Sequence, residues 1–149
     1  MINLKIALRK NAKGEKALIP QRATEYSAGY DLHAFIEAPL EMKPKQIEKV
    51  PTGIFIELPI ESVGLIYGRS GLGANHGITL PNCVGVVDSD YRGEIFVALV
   101  NNSNKTYIIN PNDRIAQLVI TPIIKTALIE TDSLSDTVRG SSGFGSSGN

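Results

Sequence analysis

The run Gly85-Val86-Val87-Asp88-Ser89-Asp90-Tyr91-Arg92-Gly93 gathers two carboxylates, a phenol and a guanidinium at one hairpin-like corner between apolar stretches. Asp90 suits an Asx turn that caps its own backbone. Asp88 ends an apolar stretch, and the partial desolvation expected there suits a base that takes a proton from water. A second run, Tyr67-Gly68-Arg69-Ser70-Gly71-Leu72-Gly73, follows an apolar segment. Its glycines let backbone amides face outward beside Arg69 and the Ser70 hydroxyl, an arrangement that several phosphate oxygens require. It lacks the Gly-Lys-Ser/Thr ending of a Walker loop, and a tight turn with incidental polarity stays open as the alternative. In Asn112 to Ile120, strand alternation would place Arg114, Ala116 and Leu118 on one side and Ile115, Gln117 and Val119 on the other. Gln117 then needs polar partners, either a ligand phosphate or water, or satisfaction within the core. Asp31 stands at a strand start after Gly29, while His33 and His76 have no nucleophile beside them and read as structural or surface residues.

No lysine occurs from Pro51 to Asn104, whereas four of the six arginines are Arg69, Arg92, Arg114 and Arg139, each beside glycine or in a polar cluster. The planar guanidinium grips phosphate through two bonds at once, although any one of these arginines could instead be an ordinary surface residue paired with Glu. The last ten residues, GSSGFGSSGN, contain eight Gly or Ser and are expected to be flexible. A plain linker is one reading. Phe144 within this tail and Arg139 just before it fit a second, a strap whose ring covers an apolar ligand face while the guanidinium holds an anion.

These residues need rigid elements to hold them. At 149 residues the chain has the length of one domain, expected to divide into a β domain over residues 1–138 and a flexible lid over 139–149. Its 18 Ile and 9 Val outnumber 13 Leu two to one, which favours sheet. Short apolar or alternating runs (Ile2 to Leu8, Ile47 to Leu58, Val63 to Tyr67, Val84 to Val87, Glu94 to Val100, Thr106 to Ile109 and Arg114 to Ile124) alternate with Gly, Pro and Asn. None keeps a 3.6-residue period, so an all-β sandwich or barrel is predicted, with one short helical turn within Ser70 to Asn75. Fifteen basic side chains balance fifteen acidic ones, removing the broad field that draws a protein to nucleic acid or an anionic membrane. A single cysteine, Cys83, excludes an internal disulfide. With no apolar run long enough to span a bilayer or act as a signal core, a cytoplasmic protein is expected.

In order, AGYDL, GRSGLG, GVVDSDYRGEI, DRIAQLVI and RGSSGFGS resemble the five motifs of the homotrimeric dUTPase family, spanning Ala28 to Ser146. The resemblance implies a jelly-roll-like β fold, a distorted sandwich or barrel, and hydrolysis of dUTP to dUMP and pyrophosphate with Mg²⁺. That reaction limits uracil in DNA and supplies dUMP for dTMP synthesis. It also implies a homotrimer with active sites at subunit interfaces, each completed by the tail of a third subunit. Asp88 matches the aspartate that orients and deprotonates the water attacking the α-phosphorus. Tyr91 matches the tyrosine packed on deoxyribose, and Asn82 with the backbone at Gly85 matches the hairpin that reads uracil. Arg69, Ser70, Gly71 and Gln117 match phosphate contacts. Asp31 resembles the aspartate linked through water to the metal region, the metal itself being carried by the substrate phosphates. Arg139 and Phe144 match the tail's phosphate clamp and uracil-stacking lid, with Ser141, Ser142 and Gly143 near the γ-phosphate. Asn112 replaces the usual Gly before Asp113-Arg114, and Asn takes a left-handed turn well, so the loop is expected to persist. Two alternatives share the resemblance: a dCTP deaminase or bifunctional relative, and a non-catalytic nucleotide-binding regulator.

Overall fold

The computed structural model describes residues 3–141. Strands dominate, as the β-branched excess requires. They are β1 (Lys5–Leu8), β2 (Tyr30–His33), β3 (Leu40–Met42), β4 (Ile47–Pro51), β5 (Ile54–Glu57), β6 (Ser62–Gly68), β7 (Ile78–Thr79), β8 (Val84–Val87), β9 (Phe96–Asn101), β10 (Tyr107–Ile109) and β11 (Arg114–Pro122). The single helix among the described residues, α1 (Ser70–His76), extends the expected turn by one residue and ends where Gly77 adopts φ 68. Neighbouring strands form four small sheets, β1-β5, β10-β3, β2-β11-β6-β8 and β4-β9-β7, and no barrel closes among the described residues. Every strand pairing is antiparallel.

The sheets enclose one apolar core. Leu32 of β2, Met42 of β3, Val50 of β4, Ile54 of β5, Ile66 of β6, Leu99 of β9 and Leu118 of β11 all lie within it. Each such side chain contributes roughly 1.5–3 kcal/mol relative to exposure, which makes the strand faces that carry them rigid supports.

Three local expectations are corrected. The run Ile47 to Leu58 is two strands, because Gly53 takes φ 68 and breaks it between β4 and β5. β8 and β9 do not form a hairpin across Ser89 and Asp90; β8 pairs with β6, whereas β9 pairs with β4 and β7 in another sheet. In β11 the register shifts between Arg114 and Ala116, so Ile115 and Ala116 are both buried and strict alternation is not kept. Asn112 does adopt the left-handed conformation, at φ 65.

Candidate functional site

The first cluster forms around β8. Cys83, at φ 62, turns the chain so that the Val84 N–H donates to the Asn82 carbonyl at 2.6 Å, and β8 follows directly. At Gly85 a Cβ would stand 3.1 Å from Ile66 Cβ, so glycine lets β8 lie close on β6. Beyond β8 the chain turns again, with the Tyr91 N–H donating to the Asp88 carbonyl at 3.1 Å. A cavity of about 290 Å³ opens here, and Asn82, Gly85, Asp88 and Tyr91 all line it. Four residues singled out in the sequence thus converge on one concave surface.

Asp88 differs from expectation in one respect. It is exposed rather than partly desolvated, because burial on β8 stops at Val87 and Asp88 already belongs to the following turn. Its own chain therefore leaves the carboxylate open to water. The Tyr91 hydroxyl donates to the Glu94 carbonyl at 2.9 Å, which folds the ring back over Gly93. Any Cβ at Gly93 would fall 2.3 Å from the phenol oxygen, so only glycine permits this pose. Arg92 donates to the Ser89 and Tyr91 carbonyls at 2.8 and 3.0 Å and serves the loop itself.

The second cluster sits where β2, β6 and β11 meet. Asp31 and Gln117 are register partners across β2 and β11. Asp31 Oδ1 lies 3.4 Å from Arg69 Nε, and Asp31 Oδ2 lies 3.3 Å from Arg114 Nη1. Arg69 also donates from Nη1 to the Arg114 carbonyl at 3.2 Å. Two guanidiniums thus flank one carboxylate, and Arg114 is an exposed arginine paired with Asp31. The Gln117 amide donates to the Gly68 carbonyl at 3.1 Å, so its partner is the backbone of the Arg69 loop. Gly29 is required beside it, since a Cβ there would lie 2.6 Å from Gln117 Oε1 and 3.2 Å from its Cβ. Arg69 begins α1 with no side-chain cap, leaving the first-turn amides of Ser70 and Gly71 without an intrahelical acceptor. Nothing lies within 4 Å of a Cβ placed on Gly71, so the approach to these amides is open. Together the guanidinium, the hydroxyl and the amides form a surface suited to phosphate oxygens.

His33 neighbours this cluster. Its buried Nδ1 has no hydrogen-bond partner. Burial pushes its pKa below the usual 6.5, opposed by the Asp31 carboxylate and reinforced by Arg114 and Arg69.

The pairing of β6 with β8 fixes the distance between the clusters. Gly64 faces Val87 and Tyr67 faces Val84, which sets Asp88 level with Val63, six residues from Arg69 along β6. At about 3.3 Å per residue that is roughly 20 Å, whereas the contacts of one phosphate group lie near 3 Å. In one chain the two clusters thus lie toward opposite ends of β6.

After β11 the chain runs on without a strand through residues 123–141, with Leu128, Ile129, Leu134 and Val138 at least four-fifths exposed. Arg139 and Ser141 lie in this exposed stretch, while Ser142, Gly143 and Phe144 fall outside the described residues. No group of three or more His, Cys, Asp or Glu side chains suited to a metal ion occurs among the described residues. A Mg²⁺ ion, which keeps several waters and takes few protein carboxylates, fits such a surface when phosphates supply most of its ligands. No helix is long and apolar enough to cross a membrane among the described residues. Sequence reasoning missed Glu94 and Arg9, which meet behind Tyr91 at 2.6 Å. Glu94 lies inside the third motif, but nothing in the linear order points to Arg9.

The chain resembles known proteins in sequence and in fold. The dUTPase family model matches residues 15–148. A deoxyuridine 5'-triphosphate nucleotidohydrolase of Desulfitobacterium hafniense is 45% identical over 148 residues, covering 99% of this chain and 97% of its own. Another, of Neorickettsia sennetsu, is 48% identical over 135 residues, covering 91% of each. Among solved structures, a dUTPase of Staphylococcus bacteriophage 80alpha with dUpNHpp superposes with a TM-score of 0.87 at 25% identity, covering all of both chains. A dUTPase from phage phi11 of S. aureus, with a coordinated structural Mg(II) ion, shares the fold with a TM-score of 0.79 at 23% identity, over 91% of this chain and all of its own. With the motif order, the all-β fold and these matches in agreement, the chain belongs to the dUTPase family.

Proposed function

We propose that this family member performs its reaction, hydrolysis of dUTP to dUMP and pyrophosphate, with Asp88 as the base that aims water at the α-phosphorus. Convergence of Asn82, Gly85, Asp88 and Tyr91 on one cavity is the observation that carries this reading. The Asn82 amide pairs with the uracil edge beside the backbone of Gly85, and the walls of this cavity exclude the 5-methyl of thymine. Tyr91 packs on the deoxyribose, where a 2′-hydroxyl has no space. Asp88 holds a water by its carboxylate and takes its proton as the α-phosphorus–oxygen bond forms and pyrophosphate leaves. Arg69, Ser70, Gly71 and Gln117 bind the phosphates, and Asp31 keeps Arg69 in place while reaching the metal region through water. Mg²⁺ bound to the triphosphate would supply neutralisation of the charge on the phosphate oxygens. Phosphoryl transfer asks mainly for such positioning and neutralisation.

The roughly 20 Å between Asp88 and Arg69 supports sites shared between copies of the chain, and a homotrimer is the assembly we assign. The exposed apolar residues of 123–138 are consistent with that segment packing on a neighbouring copy. Residues 139–149 then act as the lid of a third copy, with Arg139 on phosphate, Phe144 over uracil and Ser141, Ser142 and Gly143 near the γ-phosphate. We place the protein in the cytoplasm. Pyrophosphate release measured across dUTP, dTTP, dCTP and UTP with Mg²⁺ tests the reading. Turnover of dUTP far above the other three is expected. Ammonia release from dCTP, or dUTP binding without turnover, would replace it with a deaminase or a regulator respectively.

A further inference from the structure

We infer that the ion pair between Arg9 and Glu94 positions Tyr91, and that it thereby sets how strictly the site rejects a ribose. The inference rests on the assignment of Tyr91 to the sugar. Between Asp88 and Ile95 the chain has no strand of its own, so its shape depends on individual bonds. The Glu94 side chain is only 9% exposed and both of its oxygens are engaged. Oε2 accepts from Arg9 Nη1 at 2.6 Å and Oε1 accepts from the Gly53 N–H at 2.8 Å. On the other side of the same residue, the Glu94 carbonyl accepts from the Tyr91 hydroxyl at 2.9 Å. The phenol therefore takes its position from a peptide whose side chain is fixed at two points.

Both fixing points are themselves rigid. The Arg9 backbone N–H donates to the Gly53 carbonyl at 2.8 Å, its Nη2 donates to the Phe35 carbonyl at 3.4 Å, and its guanidinium lies 4.9 Å above the Phe35 ring. Gly53 is wedged so tightly that a Cβ would stand 2.5 Å from Ala17 and 2.8 Å from Phe35. Just after Glu94, the Ile95 carbonyl accepts from the Thr52 hydroxyl at 2.7 Å. The chain on either side of Gly53 thus grips the loop from behind. With Glu94 largely buried and the Arg9 side chain 39% exposed, the pair adds little net stability; what it adds is directed bonds that hold one arrangement. Arg9 does not line the nucleotide cavity, so it acts through Glu94 and Tyr91. Selecting against one extra hydroxyl needs the phenol held to within about half an ångström, and this pair supplies that restraint.

The test measures kcat/KM for dUTP and for UTP on the full-length assembled enzyme. Arg9→Met keeps the apolar stem and removes the guanidinium. It is expected to lower the dUTP-to-UTP ratio about tenfold, mainly through KM, with Arg9→Lys recovering part of the loss. The double variant Arg9→Met/Glu94→Gln leaves no buried charge unpaired, and it carries the test should the single variant fold poorly. An unchanged ratio in the folded double variant, with both nucleotides slowed alike or not at all, would overturn the inference. Tyr91→Ala in the same series separates the two levels. A fall with Tyr91→Ala and none with the Arg9 variants removes only the positioning role. No fall with Tyr91→Ala removes the sugar assignment and the inference with it.

Discussion

Two inactive variants of this enzyme should make an active one when mixed. The β6–β8 register sets Asp88 and Arg69 about 20 Å apart in one chain, and in the proposed trimer a working site would draw them from different copies. Asp88→Asn alone is expected to lose about 10²- to 10⁴-fold in kcat, the contribution of a positioned base. Arg69→Ala removes a phosphate clamp and is expected to lose about 10²- to 10³-fold. When the two are denatured together in equal amounts and refolded, each site receives an intact Asp88 with a chance of one half and an intact Arg69 with an independent chance of one half. In a closed ring of three, about one quarter of the sites then carry both residues. Pyrophosphate release should rise from about one hundredth of the wild-type rate or less to about a quarter of it. Plotted against mixing ratio, activity should peak at equal amounts and fall symmetrically to either side. Activity that never exceeds the weighted sum of the parents would place both residues in one chain and refute the shared site.

Three further outcomes follow from the same geometry. Deleting Arg139 to Asn149 removes the exposed Arg139 to Ser141 together with residues outside the described range, and should leave the assembly folded by circular dichroism but nearly inactive; full activity would reduce the tail to a spacer. Gly29→Ala drives a Cβ into the Gln117 side chain and should break its bond to the Gly68 carbonyl. The expected cost is about 1 kcal/mol by thermal unfolding and a several-fold rise in KM for dUTP, and an unchanged KM would remove Gln117 from phosphate binding. His33, whose pKa is lowered by burial, is neutral in both folded and unfolded chains above its usual 6.5. Below that pH the unfolded chain takes up the proton first, so stability is lost as pH falls through the lower folded value. His33→Phe should therefore flatten the decline in Tm between about pH 7 and pH 5, and an unaltered slope would contradict the assigned burial effect.

The parts of the site that sequence reasoning reached are those encoded locally. Asn82, Gly85, Asp88 and Tyr91 lie within ten residues of one another and do meet at one cavity. The left-handed Asn112 and the helix after Arg69 were likewise legible, because each depends on residues beside it. What escaped the sequence depends on pairing at a distance. An apolar run, a polar corner and a second apolar run look the same whether the strands form a hairpin or join different sheets, and only the partners of β8 and β9 decide. The exposure of Asp88 follows from where β8 ends against β6, and the bulge in β11 from its fit to β2. Arg9 and Glu94 are 85 residues apart, and no local pattern marks them as partners. Arg114 illustrates the same limit: its residue type suited phosphate, but the fold commits it to Asp31.

The most direct test of the central claim, that water poised by Asp88 attacks the α-phosphorus of dUTP, is turnover in water labelled with heavy oxygen, followed by mass spectrometry of both products. One labelled oxygen is expected in dUMP and none in pyrophosphate. Label in the pyrophosphate instead would place the attack on the β-phosphorus and contradict that claim.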